Sequence, residues 1–169
     1  MKLLRNLFCT ATVALICLTL ARAELQVGDP LPVLAGLATA GVDVPATSGQ
    51  VVLLDFWASW CAPCKAAFPV LAGLHRDFQG QGLLILAVSV DEKPAAYTGF
   101  VNRLAPPFVT LHDWQQNLVR AVKVPAMPTS YLFGRDGRLR HIHKGFHGRA
   151  TADELRRQIE ALLKENPGI

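Results

Sequence analysis

Residues 51–65 read Val51-Val-Leu-Leu-Asp-Phe-Trp-Ala-Ser-Trp-Cys-Ala-Pro-Cys-Lys65, and they place two cysteines where a strand-like run meets a helix-like one. The first seven residues are apolar apart from one acid, which predicts a buried strand over 51–57. A short turn follows, and a helical pattern begins at Cys61. Pro63 fits the first helical turn, where a missing N–H does no harm. The sequence therefore predicts a strand–Cys-x-x-Cys–helix junction.

The start of a helix favours a thiolate. The first backbone N–H groups of a helix have no intrahelical partner, and the helix dipole puts partial positive charge there. A cysteine at that end can have its pKa lowered from about 8.5 into the range of about 3.5–7.5. Cys64 lies one turn beyond Cys61, close enough to close a small disulfide ring. The pair therefore predicts thiol–disulfide chemistry.

The first 23 residues have the layout of a secretory signal. Lys2 and Arg5 precede an apolar run over 7–20, and Ala21-Arg-Ala23 matches the small-x-small rule for cleavage. The apolar run is short for a transmembrane helix, and an uncleaved N-terminal anchor is the alternative. We expect a signal peptide over 1–23, followed by one exported domain over 24–169.

Removal of this leader changes both the cysteine count and the charge. Cys9 and Cys17 leave with it, so the mature chain keeps one closely spaced pair, which is not a scaffold of stapling disulfides. Three of the 17 Lys and Arg residues also leave, and the remaining 14 nearly balance 13 Asp and Glu. We therefore expect no nucleic-acid partner.

The other elements follow from apolar runs and turn signals. Residues 83–90 form a second apolar run, typical of a strand in a parallel sheet, and complete a βαβ unit. Further strands are predicted over 129–133 and 139–144, and helices over 61–78, 95–104, 114–122 and 151–164. A capping-box spacing marks Thr151 as the start of the last helix. Short apolar stretches at 33–37 and 42–44 predict a hairpin around Ala40-Gly41 in an N-terminal extension.

This order of elements, with two motifs, resembles the thioredoxin fold. Leu54-Asp-Phe-Trp-Ala-Ser-Trp-Cys-Ala-Pro-Cys-Lys65 matches the family's active-site stretch, and Met127-Pro128-Thr129 matches its cis-proline segment. The leader, the hairpin and an insertion over about 91–108 are similar to the TlpA/ResA branch of secreted or membrane-tethered bacterial oxidoreductases. The resemblance implies an α/β, thioredoxin-like fold with a central mixed sheet flanked by helices. Ala62-Pro63 replaces the Gly-Pro of cytoplasmic thioredoxins, which leaves the redox direction open.

Four side chains are assigned to the chemistry. Cys61 is expected to be the attacking thiolate, because it is nearer the helix start and more exposed, and Cys64 the resolving thiol. Asp55 matches the buried aspartate of thioredoxins, which implies a proton acceptor for Cys64 through water, with a raised pKa. Its alternative is an edge position with the side chain in water. An acid at the place of Glu92 lies near the cysteines in ResA-like members, although a solvated loop charge explains it equally.

The proline segment and two tryptophans complete the predicted site. The Met127–Pro128 peptide bond is expected to be cis. In the resembled fold this loop faces the cysteines and pairs its backbone with the substrate chain, which implies substrate contacts for Met127 and Thr129. Trp60 is expected in an apolar docking rim, and Trp57 in the core.

Other uses of two cysteines remain open. A zinc site needs two further ligands, and His141, His143 and His147 have a suggestive spacing, although alternating polar residues on a strand usually mark a solvated face. We expect no metal, and no cofactor besides the redox-active Cys61–Cys64 disulfide. One alternative is a peroxiredoxin-like peroxidase, although the Pro-x-x-x-Thr-x-x-Cys setting of that class is missing. Another is a copper-binding chaperone that uses the cysteines and a histidine.

The resemblance implies a thiol–disulfide oxidoreductase of the bacterial periplasm that reduces disulfides of exported proteins. The client that it implies is the haem-attachment cysteine pair of apocytochrome c. Its electrons are expected from a membrane thiol carrier, because the compartment itself is oxidising.

Overall fold

The structure is a computed structural model that describes residues 24–34, 37 and 44–165. The expected signal peptide and most of the expected hairpin, including its turn at Ala40-Gly41, lie outside these residues. The described parts of the two hairpin stretches, Val33, Leu34, Leu37 and Val44, do not belong to strands. Among the described residues, no helix has the length and hydrophobicity needed to cross a bilayer.

Five strands form one mixed sheet. They are β1 Val51–Trp57, β2 Leu83–Ser89, β3 Val109–His112, β4 Thr129–Phe133 and β5 Leu139–Lys144. Their order in the sheet is β3-β2-β1-β4-β5, with β2 parallel to β1 and β3, and β4 antiparallel to β1 and β5. The central position of β1 explains why all seven of its residues are buried. The predicted mixed sheet is confirmed.

Helices pack against this sheet. They are α1 Ala62–Phe78, α2 Pro94–Leu104, α3 Asn117–Ala121 and α4 Arg149–Lys164, and a short 3₁₀ turn over Gln79–Gln81 follows α1. The helix α1 links the parallel strands β1 and β2, so the predicted βαβ unit is confirmed. The predicted apolar positions of α1 are buried; they are Phe68, Leu71, Leu74 and Phe78. Helical spacing thus turns one face of α1 to the sheet.

An aromatic cluster joins α1 and α2 to the end of β1. The ring of Trp57, fully buried, lies 4.9 Å from the ring of Phe68 on α1 and 4.6 Å from that of Phe100 on α2, measured between centroids. Phe68 and Phe100 meet edge to face, with centroids 5.2 Å apart. The prediction that Trp57 lies in the core is confirmed, and its face of β1 is the one that α1 covers.

The N-terminal segment pairs with the start of β5 and with the turn before it. Three backbone hydrogen bonds of 2.8–2.9 Å join residues 28–31 to residues 137–139. Pro30 forms an isolated bridge with Arg138. Proline lacks the N–H of a ladder residue and is confined to such edges, which explains why Pro30 is tolerated at this position.

Two elements differ from the sequence prediction. The strand β3 is absent from it, because four residues of mixed polarity after Pro106-Pro107 are too short to show a strand period. The helix predicted over 114–122 is wrong at its start and begins at Asn117. The carboxylate of Asp113 accepts the N–H groups of Asn117 and Val119, each over 2.9 Å, and so fixes the first turn.

The capping box predicted at Thr151 is also wrong. The helix α4 begins two residues earlier, at Arg149, with Gly148 as its cap at a φ of 64°. The hydroxyl of Thr151 instead accepts the N–H of His147 over 3.0 Å. The Thr151 side chain therefore stabilises the loop before α4 and does not cap the helix.

Candidate active site

Cys61 is the N-cap of α1, and a disulfide joins it to Cys64 across a Cα–Cα distance of 5.3 Å. The backbone N–H of Cys64 donates to the sulfur of Cys61 over 3.2 Å. The first turn of α1 contains no acidic residue. The sulfur of Cys61 therefore lies at the positive end of the helix dipole, where a thiolate is stabilised and its pKa lowered.

Both cysteines are buried in this oxidised state. Cys61 is 4% exposed and Cys64 1%, so the predicted order of exposure is right but the difference is small. Cys61 is thus less open to solvent than the sequence analysis expected. Its neighbours Ala62 and Pro63 are exposed, so this end of α1 is itself at the surface.

The loop before β4 contains the expected cis bond, between Met127 and Pro128. No backbone hydrogen bond joins Met127 to another described residue, whereas the carbonyl of Pro128 accepts the N–H of Gly145 over 2.7 Å. The side chain of Thr129 is fully buried, and its hydroxyl donates to the carbonyl of Ala126 over 2.8 Å. Thr129 therefore fixes the loop through its side chain, and Met127 keeps its backbone groups available.

Asp55 lies in the central strand and is 1% exposed, so the alternative of an edge position in water is wrong. Ser130, its partner on β4, donates a hydrogen bond to Oδ1 over 2.6 Å. The other oxygen, Oδ2, is buried and has no hydrogen-bond partner among the described residues. Burial raises the pKa of Asp55 from 3.8 to about 7, against the opposing effect of the Ser130 hydrogen bond. This carboxyl can take up or release a proton near neutral pH.

Asp55 belongs to the same layer as Cys64. Residues two apart in a strand share a face, so Asp55 lies on the face of Trp57. The ring of Trp57 packs on Phe68, and Cys64 precedes Phe68 by about one helical turn. The fold therefore brings the buried carboxyl of Asp55 and Cys64 to one side of the sheet.

A match to a known family spans residues 27–142, from the N-terminal segment into β5. The chain belongs to the AhpC/TSA family. Among similar proteins, thiol-disulfide oxidoreductase ResA of Bacillus thuringiensis (strain Al Hakam) is 27% identical over 146 residues, which are 85% of this chain and 80% of the relative.

Solved structures share the fold of this chain. A protein of Chlorobium tepidum assigned as thiol:disulfide interchange protein DsbE is 34% identical and superposes with a TM-score of 0.78, over 83% of this chain and 99% of that one. StoA from Bacillus subtilis, 22% identical with a TM-score of 0.57 over 65% and 82% of the two chains, shares the fold alone. The thioredoxin-like fold and the enzyme class, a thiol–disulfide oxidoreductase, are confirmed.

A second acid of this AhpC/TSA protein, Asp91, is a residue that the sequence analysis missed. Its carboxylate accepts the N–H and the hydroxyl of Ser59 and the hydroxyl of Ser89, each over 2.9 Å. Ser59 precedes Cys61 by two residues, so Asp91 fixes the turn that leads into the disulfide. Glu92, which the sequence analysis selected, has an exposed side chain. One signal was present: Asp91 closes a buried parallel strand at the sheet edge where Cys61 lies.

A buried histidine contacts the backbone carbonyl group of Asp91. The ring Nε2 of His112 lies 2.6 Å from the carbonyl oxygen of Asp91. Tyr97 stacks on this ring with the planes 9° apart and the centroids separated by 4.5 Å. A chain of contacts thus links the turn before Cys61 to Asp91 after β2, to His112 on β3 and to Tyr97 on α2.

Two of the three histidines considered as metal ligands make other hydrogen bonds. His143 directs Nε2 at the side-chain oxygen of Gln158 on α4, 2.7 Å away. His147 contributes its backbone N–H to Thr151. Among the residues that the structure describes, no group of three or more His, Cys, Asp or Glu side chains is placed to hold a metal ion.

Proposed function

We propose that this protein is a periplasmic thiol–disulfide oxidoreductase that reduces disulfides of exported proteins. The observation that carries the proposal is the Cys61–Cys64 disulfide at the N-cap of α1, with its sulfur accepting a helix amide. A thiolate at that position is the species that attacks a disulfide. The couple itself is the redox centre, and the mechanism requires no other cofactor.

The exchange takes two steps. The Cys61 thiolate attacks one sulfur of the client disulfide, forms a mixed disulfide and releases the other client sulfur as a thiolate. Cys64 then attacks the sulfur of Cys61, which forms the Cys61–Cys64 disulfide and releases the second client sulfur. The client gains two electrons, and the enzyme pair is oxidised. The proton of the Cys64 thiol passes in the second step to an acceptor inside the protein.

Asp55 is the acceptor in this proposal. Cys64 is 1% exposed, so bulk water has little access to its proton. The pKa of Asp55, raised by burial to about 7, suits a group that takes a proton from a thiol and later returns it. The transfer runs through a water molecule between Cys64 and Oδ2 of Asp55.

The client chain binds beside Pro128 and Trp60. The backbone of Met127 is free to pair with an extended chain, as in strand addition to a sheet. Trp60, with 68% of its surface exposed, adds an apolar contact next to Cys61. Glu92 is an exposed charge at the same end of the sheet and contributes to the field around the cysteines.

The location and the partners rest on the leader and on the family resemblance. A signal over 1–23 exports the chain to the periplasm. Because that compartment is oxidising, a reductase there needs electrons from a thiol carrier in the membrane. We propose the cysteine pair of apocytochrome c as the client.

Reduction of insulin disulfides by residues 24–169 tests the activity. We expect Cys61→Ser to abolish turnover and Cys64→Ser to accumulate a mixed disulfide through Cys61. A potential near the about −270 mV of thioredoxin supports a reductase, whereas one near the about −120 mV of DsbA contradicts that direction. Turnover that survives Cys61→Ser, or turnover of hydrogen peroxide in its place, would overturn the proposal.

A further inference from the structure

A short polar row crosses three strands of the sheet. Asp55 on β1 is the register partner of Ser130 on β4, and Ser130 is the partner of His143 on β5. Side chains that are directly opposite in neighbouring strands lie on the same face. On the other side of Asp55, the partner on β2 is Ala87, which offers no hydrogen bond. The Asp55 carboxyl thus has a polar neighbour in the sheet on one side only.

The two oxygens of this carboxyl have different surroundings. Oδ1 accepts the hydroxyl of Ser130 over 2.6 Å, and Oδ2 is buried with no partner in the described part of the chain. Ser130 is itself 7% exposed. A charge on a buried carboxylate oxygen without a partner is costly, and a proton on that oxygen removes the charge. The proton of Asp55 therefore belongs on Oδ2.

No other described side chain donates a hydrogen bond to this carboxyl. Titratable groups on the elements packed around this face include Cys64 on α1, Asp91 after β2, Tyr97 on α2, His112 on β3, His141 and His143 on β5, and Glu154 on α4. His143 points Nε2 at Gln158, and Glu154 accepts from Gln158. Burial and the Ser130 hydroxyl are the influences on the pKa of Asp55. Ser130 is thus the partner that favours the ionised carboxyl.

We infer that Ser130 is a positioning residue for proton transfer between Cys64 and Asp55. Its hydroxyl holds Oδ1 and leaves Oδ2 as the oxygen that takes the Cys64 proton and returns it. It also stabilises the carboxylate that must be present before Cys64 is deprotonated. The inference rests on the proposed role of Asp55 and adds the residue that keeps this buried acid usable as a base near neutral pH.

Two matched substitutions isolate the hydroxyl. Ser130→Thr and Ser130→Val have nearly the same volume, and both residues suit a strand, but only threonine donates a hydrogen bond. The first measurement is a titration of the Asp55 carboxyl by carbon-13 NMR in the oxidised protein. We expect Ser130→Val to titrate about one pH unit above the wild type, the size of a lost hydrogen bond to a charged group, and Ser130→Thr to match the wild type.

The second measurement is the pH dependence of insulin reduction. The acidic limb of the rate should move with the carboxyl titration, so that Ser130→Val is roughly tenfold slower on that limb. Equal titrations of the threonine and valine variants would overturn the inference. Asp55→Asn separates this from the proposed function: if its pH profile equals that of the wild type, the role of Asp55 is wrong whatever Ser130 does to the titration.

If the valine variant does not fold, Ser130→Ala replaces it in both measurements, since it removes the hydroxyl and adds no volume. An alanine variant that titrates and reacts like the wild type would contradict the inference equally.

Discussion

Ser59 and Asp91 are joined by two hydrogen bonds of 2.9 Å, although 32 residues separate them in the sequence. One bond comes from the backbone N–H of Ser59, in the turn before Cys61, and the other comes from the hydroxyl of Ser59. The end of β2 therefore holds the junction between β1 and α1, where the disulfide lies. The position of the reactive pair depends on two neighbouring parallel strands and not on the Cys-x-x-Cys segment alone.

Loss of this anchor should destabilise the protein. In Asp91→Ala, the N–H and hydroxyl of Ser59 and the hydroxyl of Ser89 lose their acceptor, and we expect the free energy of unfolding to fall by about 3 kcal/mol. Urea unfolding of the oxidised protein measures it. Glu92→Ala is the matched control, because its side chain is exposed, and it should change the value by less than about 0.5 kcal/mol. Equal losses in the two variants would show that the anchor contributes nothing.

Asp55 should make the stability of the oxidised protein depend on pH. Its folded pKa, about 7, lies above the value of 3.8 for an unperturbed aspartate. Between these values the folded state keeps a proton that the unfolded state has released, so stability falls as the pH rises through this window and is constant above it. Three pH units correspond to a loss of about 4 kcal/mol at most.

Asp55→Asn removes this effect. We expect the variant to be more stable than the wild type at pH 8 by about 2–4 kcal/mol, with a difference that shrinks towards pH 4. Urea titrations at several pH values provide the test. A wild-type stability that rises between pH 4 and pH 7, with no such rise in the variant, would mean that the carboxyl is ionised in the folded protein.

Substitution of two tryptophans three residues apart should affect stability very differently. Trp57 is fully buried between Phe68 and Phe100, and Trp57→Ala should cost about 4 kcal/mol of stability through the cavity that it leaves. Trp60 is largely exposed, and Trp60→Ala should leave stability within about 0.5 kcal/mol. If Trp60 binds clients, the same variant raises the KM for insulin and keeps the midpoint of thermal unfolding.

The glycine that directly precedes β2 offers another test. Gly82 has a φ of +100°, and a Cβ there would lie 2.7 Å from a guanidinium nitrogen of Arg135, which donates to the carbonyl of Gly49. Gly82→Ala should therefore lower the free energy of unfolding by about 2 kcal/mol. Gly80→Ala, where a Cβ meets nothing within 4 Å, is the control and should have almost no effect. Similar values for both would contradict the strain at Gly82.

The sequence predicts well those elements whose signal is local. The strands β1 and β2 are nearly continuous apolar runs because both faces of the sheet are covered there. Cys61 and Cys64 are recognisable because a strand passes directly into a helix around them. Asp55 stands out as a single acid within an apolar strand.

Features built from distant residues were harder to predict. The strand β3 has four residues and gains its regularity from pairing with β2, over residues 86–89. Asp91 and Glu92 are adjacent acids that the sequence does not distinguish. In the folded protein Ser59 lies next to Asp91 and donates two hydrogen bonds to it. The hydroxyl of Ser130 reaches Asp55 only because β4 pairs with β1 in the folded protein. Local periodicity carries no information about such pairings.

The bridge between Pro30 and Arg138, at the start of β5, has a consequence for aggregation. An uncovered sheet edge can pair with a strand of another chain and so extend the sheet into an aggregate. Residues 28–31, with a proline that cannot donate, cover the start of one edge, and at the other edge β3 offers a template of only four residues. Addition of a further strand is thus disfavoured at the start of β5 and along the short β3.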